Sequence, residues 1–291
     1  MMRMAVTGRS GQVATALLKR GALAGIEVIL IGRPDLDLAS PVTVHSALSE
    51  VRPNVIVSAA AYTAVDQAEL EAEAAFAANA EGAGAVAAAG RDLGVPVLHL
   101  STDYVFDGGL DRPYREDDPT VPQSVYGASK LDGEARVLAS GGSVFRTAWI
   151  YSAGGSNFVR TMVRLAEQQA EVRVVADQFG CPTSADDIAD ALIAVARRQV
   201  ATPGDAALRG VFHLAGGDEA SWCEFAQGVF DALAKSGRPT CRAVPIPSSA
   251  YPTRAKRPAN SRLDCSRLRA VYGVSLPGWR QSLPPVVVAL L

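Results

Sequence analysis

The stretch Met4-Ala5-Val6-Thr7-Gly8-Arg9-Ser10-Gly11-Gln12-Val13-Ala14 decides the fold class. Its apolar start predicts a buried strand, and the residues that follow Gly11 have the composition of a helix. Gly8 permits the tight turn between them, whereas Gly11 lets a pyrophosphate approach the helix N-terminus, where free N–H groups favour an anion. Ala14 is small enough for close packing of helix on strand. The stretch predicts dinucleotide binding, with a purely structural turn as the alternative.

Apolar runs alternate with helix-like segments throughout the first half of the chain. Strands are predicted at 3–7, 27–31, 55–60, 95–101 and 144–149, and helices at 11–22, 41–51, 71–93 and 125–139. Strand–helix alternation with apolar strands is typical of a parallel sheet that is covered on both faces. The sequence therefore predicts an α/β fold with a Rossmann-type doubly wound parallel sheet.

The second half of the chain has a less regular pattern. Strands are predicted at 172–175 and 211–215, and helices at 157–169, 185–198, 222–234 and 278–290. Segment 236–262, rich in Pro, Arg and Ser, is predicted to be a loop. We expect a dinucleotide-binding domain over 1–150 and a smaller C-terminal α/β substrate-binding lobe over 151–291, with some crossing of the chain between the two.

Composition argues against several classes of partner. The chain has 291 residues, 48% hydrophobic composition and a formal net charge of −2. This near balance gives no general electrostatic reason to bind nucleic acid or an acidic membrane, although Arg254, Lys256 and Arg257 form a local basic group. No run of 18 apolar residues predicts a membrane span, and the N-terminus lacks the long apolar run of a signal peptide. We therefore expect a cytoplasmic protein.

Metal binding is not predicted. The four cysteines, Cys181, Cys223, Cys241 and Cys265, are too far apart in sequence for a local metal knuckle or redox pair. The three histidines are equally scattered, and no zinc motif joins them. Four reduced thiols are the expectation.

The end of the second predicted strand bears on cofactor choice. An acidic residue there would bind a ribose 2′-hydroxyl, whereas an arginine can hold a 2′-phosphate. This position carries Arg33, which favours NADPH and leaves NADH as a second cofactor. A solvated surface arginine is the alternative. Asp37 and Leu38 follow and are predicted to contact the adenine edge.

Tyr126 and Lys130 are spaced as neighbours on one face of a predicted helix. A cation beside a phenol stabilises the phenolate and is expected to lower the pKa of the tyrosine towards neutrality. The fourth predicted strand ends in Ser101-Thr102-Asp103-Tyr104, which brings hydroxyl groups to the sheet edge where ligands bind. Thr102, Tyr126 and Lys130 are the predicted catalytic set, with a strand-end cap as the alternative for the hydroxyls.

The chain resembles the dTDP-4-dehydrorhamnose reductase family within the extended short-chain dehydrogenases, over nearly its whole length. Segments 62–69 and 257–261 are much more specific than the glycines. The resemblance is carried by Gly8-x-x-Gly11-Gln12, Ala59-Ala60-Ala61-Tyr62-Thr63-Ala64-Val65-Asp66-x-Ala68-Glu69, Asn79, Ser101-Thr102-Asp103-Tyr104-Val105-Phe106, Tyr126-Gly127-x-Ser129-Lys130, Arg146-Thr147-Ala148-Trp149-Ile150-Tyr151, Asp177-Gln178-Phe179-Gly180-x-Pro182-Thr183 and Arg257-Pro258-x-Asn260-Ser261.

The resemblance implies roles for these residues. Thr102 would hydrogen-bond the sugar carbonyl, Tyr126 would donate a proton, and Lys130 would support Tyr126 and reach the nicotinamide ribose. The cofactor-binding set is predicted to be Gly8, Ser10, Gly11, Gln12, Val13, Arg33, Asp37, Leu38, Ala59, Ala60, Ala61, Tyr62, Asn79, Tyr126 and Lys130. The substrate-binding set is predicted to be Thr63, Val65, Asp103, Tyr104, Trp149, Arg257 and Asn260. Core packing is the alternative for Val65 and Trp149, and a solvated loop charge is the alternative for Arg257.

The resemblance also implies a reaction: reduction of a nucleotide-linked 4-keto-6-deoxy sugar, with dTDP-4-dehydro-L-rhamnose as the first candidate. Another deoxysugar 4-ketoreductase and a non-catalytic NADP-binding subunit are the alternatives. Some family members bridge a dimer through magnesium and glutamates. Residues 10–24 and 265–291 contain no carboxylate side chain, so we expect a monomer or a metal-independent homodimer. The Pro284-Pro285 pair is expected to start or interrupt the last helix.

Overall fold

The computed structural model describes the whole chain from Met1 to Leu291. The strands, numbered in chain order, are β1 (Arg3–Thr7), β2 (Glu27–Ile31), β3 (Val55–Ser58), β4 (Val97–Thr102), β5 (Ser143–Thr147), β6 (Ile150–Tyr151), β7 (Glu171–Val175), β8 (Phe179–Gly180), β9 (Thr183–Ser184), β10 (Gly210–His213), β11 (Ala220–Ser221), β12 (Arg242–Ile246) and β13 (Asn260–Ser261).

The helices are numbered in the same way, and a π-helical turn at Ala77–Gly82 joins the fourth to the fifth. They are α1 (Gln12–Leu23), α2 (Val44–Val51), α3 (Val65–Ala68), α4 (Ala72–Phe76), α5 (Ala83–Leu93), α6 (Val125–Ala139), α7 (Phe158–Ala166), α8 (Ala185–Ala201), α9 (Trp222–Lys235), α10 (Ser266–Tyr272) and α11 (Trp279–Val288). No helix combines the length and apolarity that crossing a membrane requires.

Six parallel strands form the main sheet in the order β2-β1-β3-β4-β5-β10. Helices α1 and α8 cover one face, and helices α2, α5 and α6 cover the other. Every residue of β3 and β4 is buried, as expected for strands between two helical layers. These features confirm the predicted Rossmann-type doubly wound parallel sheet. The strand order reverses between β1 and β3, and open sheets of this kind bind ligands at such a switch point.

A set of short contacts draws the ends of β1, β2 and β3 together at this switch point. Gly8 has a φ of 99°, which L side chains rarely adopt, and its N–H donates to the Ile31 carbonyl at 2.6 Å. The Thr7 hydroxyl accepts from the backbone N–H groups of Ala59 and Ala60, both at 3.0 Å. The turn after β1 is therefore held against the turn after β3, which fixes the floor of the crevice.

A second, smaller core lies between α7, α9, α11 and the parallel pair β7–β12. Elements α8 and β10 belong to the main sheet and its helical cover, although they lie in the predicted 151–291 lobe. The chain thus crosses from the main sheet to the smaller core and back. The boundary at residue 150 remains a prediction of where one unit ends.

Three local predictions were wrong for identifiable reasons. Strand β12 lies inside segment 236–262, which was predicted to be a loop; its Pro245 is tolerated because β12 pairs on one side only, with β7. The helix predicted over 71–93 is interrupted by the π-helical turn. Helix α11 contains Pro284 and Pro285 in its interior, because burial of Leu283, Val286 and Val287 in the smaller core favours the helix over its local propensity.

A buried ion pair joins α6 to β5 beneath the carboxyl edge of the sheet. The Arg146 Nη2 atom lies 2.7 Å from Glu134 Oε2, and both side chains are less than 5% exposed. The Ser101 hydroxyl donates to Glu134 Oε1 at 2.6 Å, and the Arg146 guanidinium lies 5.0 Å from the centre of the Phe106 ring. Removal of one partner would leave an uncompensated charge in the core.

We therefore predict that Arg146→Met lowers the free energy of unfolding by about 3–5 kcal/mol. Arg136→Met is the matched control, because Arg136 forms an exposed pair with Asp132 on the same helix; it should change stability by less than about 1 kcal/mol. The double variant Glu134→Met, Arg146→Met should recover much of the loss. Urea unfolding measures all three, and equal effects of the two single substitutions would contradict the assignment.

Candidate active site

Thr102 closes β4 at the carboxyl edge of the sheet and is 5% exposed. Its hydroxyl oxygen accepts from the Tyr104 backbone N–H at 3.1 Å and lies 3.1 Å from Asp103 Oδ1. An ionised carboxylate can only accept, so the Thr102 hydroxyl directs its hydrogen to Asp103. Donation from Thr102 to a sugar carbonyl, as predicted, would require this hydrogen bond to be exchanged.

Helix α6 brings Tyr126 to the same edge. The Ser124 hydroxyl caps the helix by accepting from the Gly127 N–H at 3.1 Å. A Cβ atom on Gly127 would lie 2.2 Å from the Tyr104 carbonyl oxygen, so only glycine allows the helix to approach this closely. The Tyr126 ring meets the Tyr104 ring edge-on, with 5.6 Å between centroids. The start of α6 is thereby locked against the turn after β4.

The expected effect of Lys130 on Tyr126 was wrong for this structure. Burial raises the pKa of Tyr126 above its usual value, and the charge of Asp103 adds to the rise. The Lys130 ammonium instead donates to the Leu100 carbonyl oxygen at 2.6 Å and lies 3.0 Å from His99 Nε2. Burial lowers the pKa of Lys130 to about 8, against the opposing charge of Glu134.

Asn79, predicted to bind the cofactor, lies in the π-helical turn and is 1% exposed. Its Oδ1 accepts from the Tyr62 N–H at 2.8 Å, and its Nδ2 donates to the Tyr62 carbonyl and to Ser129 Oγ, both at 3.0 Å. Asn79 therefore positions the 59–62 segment against α6, and its amide is fully engaged within the protein. π-Helical turns are frequent at functional sites.

The N-terminus of α1 fits a pyrophosphate. Gly11 caps it without a side-chain hydrogen bond, the first turn carries no acidic residue, and a Cβ on Gly11 would meet nothing within 4 Å. Ser10 and Gly11 are exposed at this end of the helix. The backbone N–H groups here are thus free for an anion at the switch point.

The side chains of Gln12 and Val13, both predicted to bind the cofactor, are engaged within the protein. Val13 contributes its side chain to the core, and the Gln12 side chain accepts from Ser152 at 2.8 Å and Asn157 at 3.0 Å.

Two arginines stand at the end of β2. Arg33 is exposed, as predicted for a contact with a 2′-phosphate. Arg9, which the sequence analysis did not single out, extends across Gly32 and pairs with Asp35. Leu38 was predicted to contact adenine, but its side chain is 6% exposed and packs in the core, whereas the half-buried Asp37 caps the Ala39 N–H at 3.0 Å.

Arg257 contacts Tyr104, another of the predicted substrate-binding residues, and pairs with Asp66. Its guanidinium lies 2.8 Å from Asp66 Oδ2 and donates to the Tyr104 hydroxyl at 3.2 Å. Thr63 is exposed just before α3, and Val65 is half-buried at its start. Burial raises the pKa of Tyr104 to about 12. The contacts of Arg257 thus join α3 and the turn after β4.

Trp149 adopts a φ of 49°, uncommon for a bulky residue and typical of strained positions at functional sites. Its indole stacks on Trp222 with 3.4 Å between ring centroids, and a Cβ on Gly180 would lie 2.4 Å from it.

Asn260 does not fit its predicted role. Its amide donates to the Leu110 and Arg112 carbonyls, both at 2.8 Å, and accepts from Arg262, which leaves no amide hydrogen for a nucleotide.

This combination of fold and site is that of the short-chain dehydrogenases and reductases of the extended type, a class of oxidoreductases. A family model described as the RmlD substrate binding domain matches residues 2–291. The chain belongs to this family. The dTDP-4-dehydrorhamnose reductase of Sinorhizobium fredii (strain NBRC 101917 / NGR234) is 50% identical over 292 residues, which cover 100% of this chain and 98% of that protein.

Two solved structures are similar over the whole fold. A dTDP-4-dehydrorhamnose reductase of Clostridium acetobutylicum ATCC 824 superposes with a TM-score of 0.90 at 34% identity, and 99% of each chain is covered. The dTDP-4-dehydrorhamnose reductase of Bacillus anthracis str. Ames, solved in complex with NADP, gives a TM-score of 0.89 at 32% identity, again over 99% of each chain.

The pKa of Asp103 generates a stability prediction. Burial raises this pKa to about 6, although hydrogen bonds from Ser261 and Thr102 oppose the rise. Between about pH 4 and 6 the folded state keeps a proton that the unfolded state has lost, so stability falls as the pH rises through this window. Asp103→Asn cannot ionise and retains an acceptor for Thr102.

We therefore predict that Asp103→Asn gains stability relative to the parent protein as the pH rises from 4 to 7, by on the order of 2 kcal/mol. Urea unfolding at pH 4.5 and 7.5 measures the change. Asp111→Asn, on the exposed surface, is the matched control and should show no such trend. A stability difference for Asp103→Asn that is the same at both pH values would be inconsistent with a buried, ionised Asp103.

Proposed function

We propose that this protein is an NADPH-dependent reductase of a nucleotide-linked 4-keto-6-deoxy sugar, with dTDP-4-dehydro-L-rhamnose as substrate and dTDP-L-rhamnose as product. The observation that carries the proposal is the seating of Tyr126, through its edge-on contact with Tyr104, at the end of β4 that Thr102 closes, on the same sheet edge as the uncapped N-terminus of α1. The names of the relatives support the substrate. Thr102, Tyr126 and Lys130 are all present, which favours an enzyme over a non-catalytic NADP-binding subunit.

The cofactor would lie across the switch point. The N–H groups at the start of α1 would hold the pyrophosphate, and the turn after β3 would line its nicotinamide half. Arg33, with Arg9 close to the same strand end, would pair with the 2′-phosphate, which favours NADPH over NADH. When bound, the reduced nicotinamide supplies a hydride to the sugar carbonyl carbon.

The side chains of the site would supply the proton and stabilise the charge that develops on the sugar oxygen. Because its pKa is raised, Tyr126 keeps its proton throughout the neutral range and can donate it to the sugar oxygen. Lys130 has three ammonium hydrogens, of which two are engaged by Leu100 and His99. The third is available for the ribose of the cofactor. Arg257 and Tyr104 would meet the substrate on the other side of Tyr126.

Tyr126→Phe should remove the donated proton and little else. Turnover should fall by roughly 10²–10⁴-fold, the usual contribution of general acid catalysis. NADPH affinity should stay near normal because the pyrophosphate and adenosine are held elsewhere. Tyr251→Phe, at an exposed tyrosine, is the control and should leave both unchanged. Single-turnover hydride transfer and a direct NADPH titration measure these effects; near-normal turnover would show that another group supplies the proton.

Arg33→Ala should separate the two cofactors. Loss of the guanidinium removes the partner of the 2′-phosphate, so the KM for NADPH should rise far more than the KM for NADH. Arg238→Ala, at an exposed arginine of the smaller lobe, is the matched control. Steady-state kinetics with both cofactors provide the measurement. Equal changes for NADPH and NADH would refute a 2′-phosphate contact at Arg33.

A further inference from the structure

His99 is a buried polar residue in the middle of β4 that none of the predicted roles uses. It is 1% exposed and lies on the face of β4 that α6 covers. One ring nitrogen, Nδ1, lies 3.0 Å from Ser58 Oγ, and the other, Nε2, lies 3.0 Å from Lys130 Nζ. Both nitrogens of the ring are therefore engaged, one on each side.

The chemistry of these partners fixes the state of the ring. An ammonium group can only donate, so Nε2 must accept from Lys130 and carry no hydrogen. The single hydrogen of the neutral ring then lies on Nδ1 and is donated to Ser58 Oγ. Burial and the charge of Lys130 both lower the pKa of His99 well below its usual value, which agrees with a neutral ring.

We propose that His99 is a positioning residue for Lys130: together with the Leu100 carbonyl, its Nε2 atom fixes the ammonium in direction and keeps it charged. Ser58 acts one step further away, because its hydroxyl oxygen accepts the Nδ1 hydrogen of the tautomer that the Lys130 ammonium requires. The functional consequence rests on the proposed reductase, in which the third ammonium hydrogen reaches the cofactor ribose. The effect of His99 on Lys130 itself does not depend on that function.

The other groups that face Lys130 do not replace this acceptor. Glu134, one turn further along α6, raises the pKa of Lys130 but is paired with Arg146 and Ser101. Tyr126, one turn earlier on the same helix, keeps its proton. Asp103 directs one carboxylate oxygen at Thr102. His99 is thus the neutral side chain that receives a Lys130 hydrogen.

The test measures the pKa of Lys130 directly, without substrate or cofactor. The chain has four lysines, Lys19, Lys130, Lys235 and Lys256, so selective ¹³C labelling of their ε-carbons gives few NMR signals, and Lys130→Met assigns the relevant one. His99→Leu removes the acceptor and should lower the pKa of Lys130 by about one pH unit, the equivalent of one hydrogen bond to a charged group. His99→Gln offers an amide oxygen in place of Nε2 and should restore the parent value.

An unchanged Lys130 pKa in a folded His99→Leu variant would overturn the proposal. The ¹⁵N-histidine spectrum of the unmodified protein adds a measurement that requires no substitution. The spectrum is simple, because only three histidines contribute to it. It should show His99 protonated on Nδ1, and a hydrogen on Nε2 would equally overturn the proposal. The alkaline limb of the pH profile of kcat/KM should follow the NMR shift. If Lys130 responds as expected and the protein reduces no sugar, the proposed reductase fails while the role of His99 stands.

Discussion

The close seating of α6 against the end of β4 is the contact on which the rest of the site depends. Gly127 allows the helix to touch the Tyr104 carbonyl. Ser129, on the same helix, accepts a hydrogen bond from Asn79 in the π-helical turn. These contacts bring Tyr126 beside Thr102 and place Lys130 beneath β4. A side chain at Gly127 would push the helix outward and separate the phenol from the sheet edge.

Burial beneath this helix sets the electrostatics of the site. The pKa values of Asp103 and Tyr126 are raised and that of Lys130 is lowered, and in each case desolvation is the largest cause. Tyr126 thereby keeps its proton throughout the neutral range, whereas the pKa of Lys130 falls to about 8. Arg146 and Glu134 compensate each other's charge beneath this edge, so neither is buried without a partner of opposite sign.

The first half of the fold could be predicted because local sequence and tertiary structure agree there. The glycines of the first turn, the apolar strands and the spacing of Tyr126 and Lys130 are all local patterns. The alternation of β4 could also have identified His99, because His99 and Ser101 lie on the face that meets α6. The spacing of the three histidines along the chain carries no such signal.

The remaining features depend on partners that are distant in sequence. In the π-helical turn Asn79 donates to Ser129, fifty residues away, and the Asn260 amide donates to the loop carbonyls of Leu110 and Arg112. Neither contact leaves a local pattern. Strand β12 is likewise stabilised by pairing with β7, while its own composition favours a loop. Tertiary pairing, which propensity does not encode, decides these segments.

The most direct test of the account is to follow the hydride itself. The protein is incubated with NADPH deuterated at C4 of the nicotinamide and with a set of nucleotide-linked 4-keto-6-deoxy sugars, and the products are analysed by NMR. We expect one NADPH to be oxidised per sugar reduced, with the deuterium at C4 of the sugar in the L-rhamno configuration when the dTDP-linked 4-keto sugar is supplied. NADPH that binds but transfers no deuterium to any sugar would contradict it and would indicate a non-catalytic cofactor-binding protein.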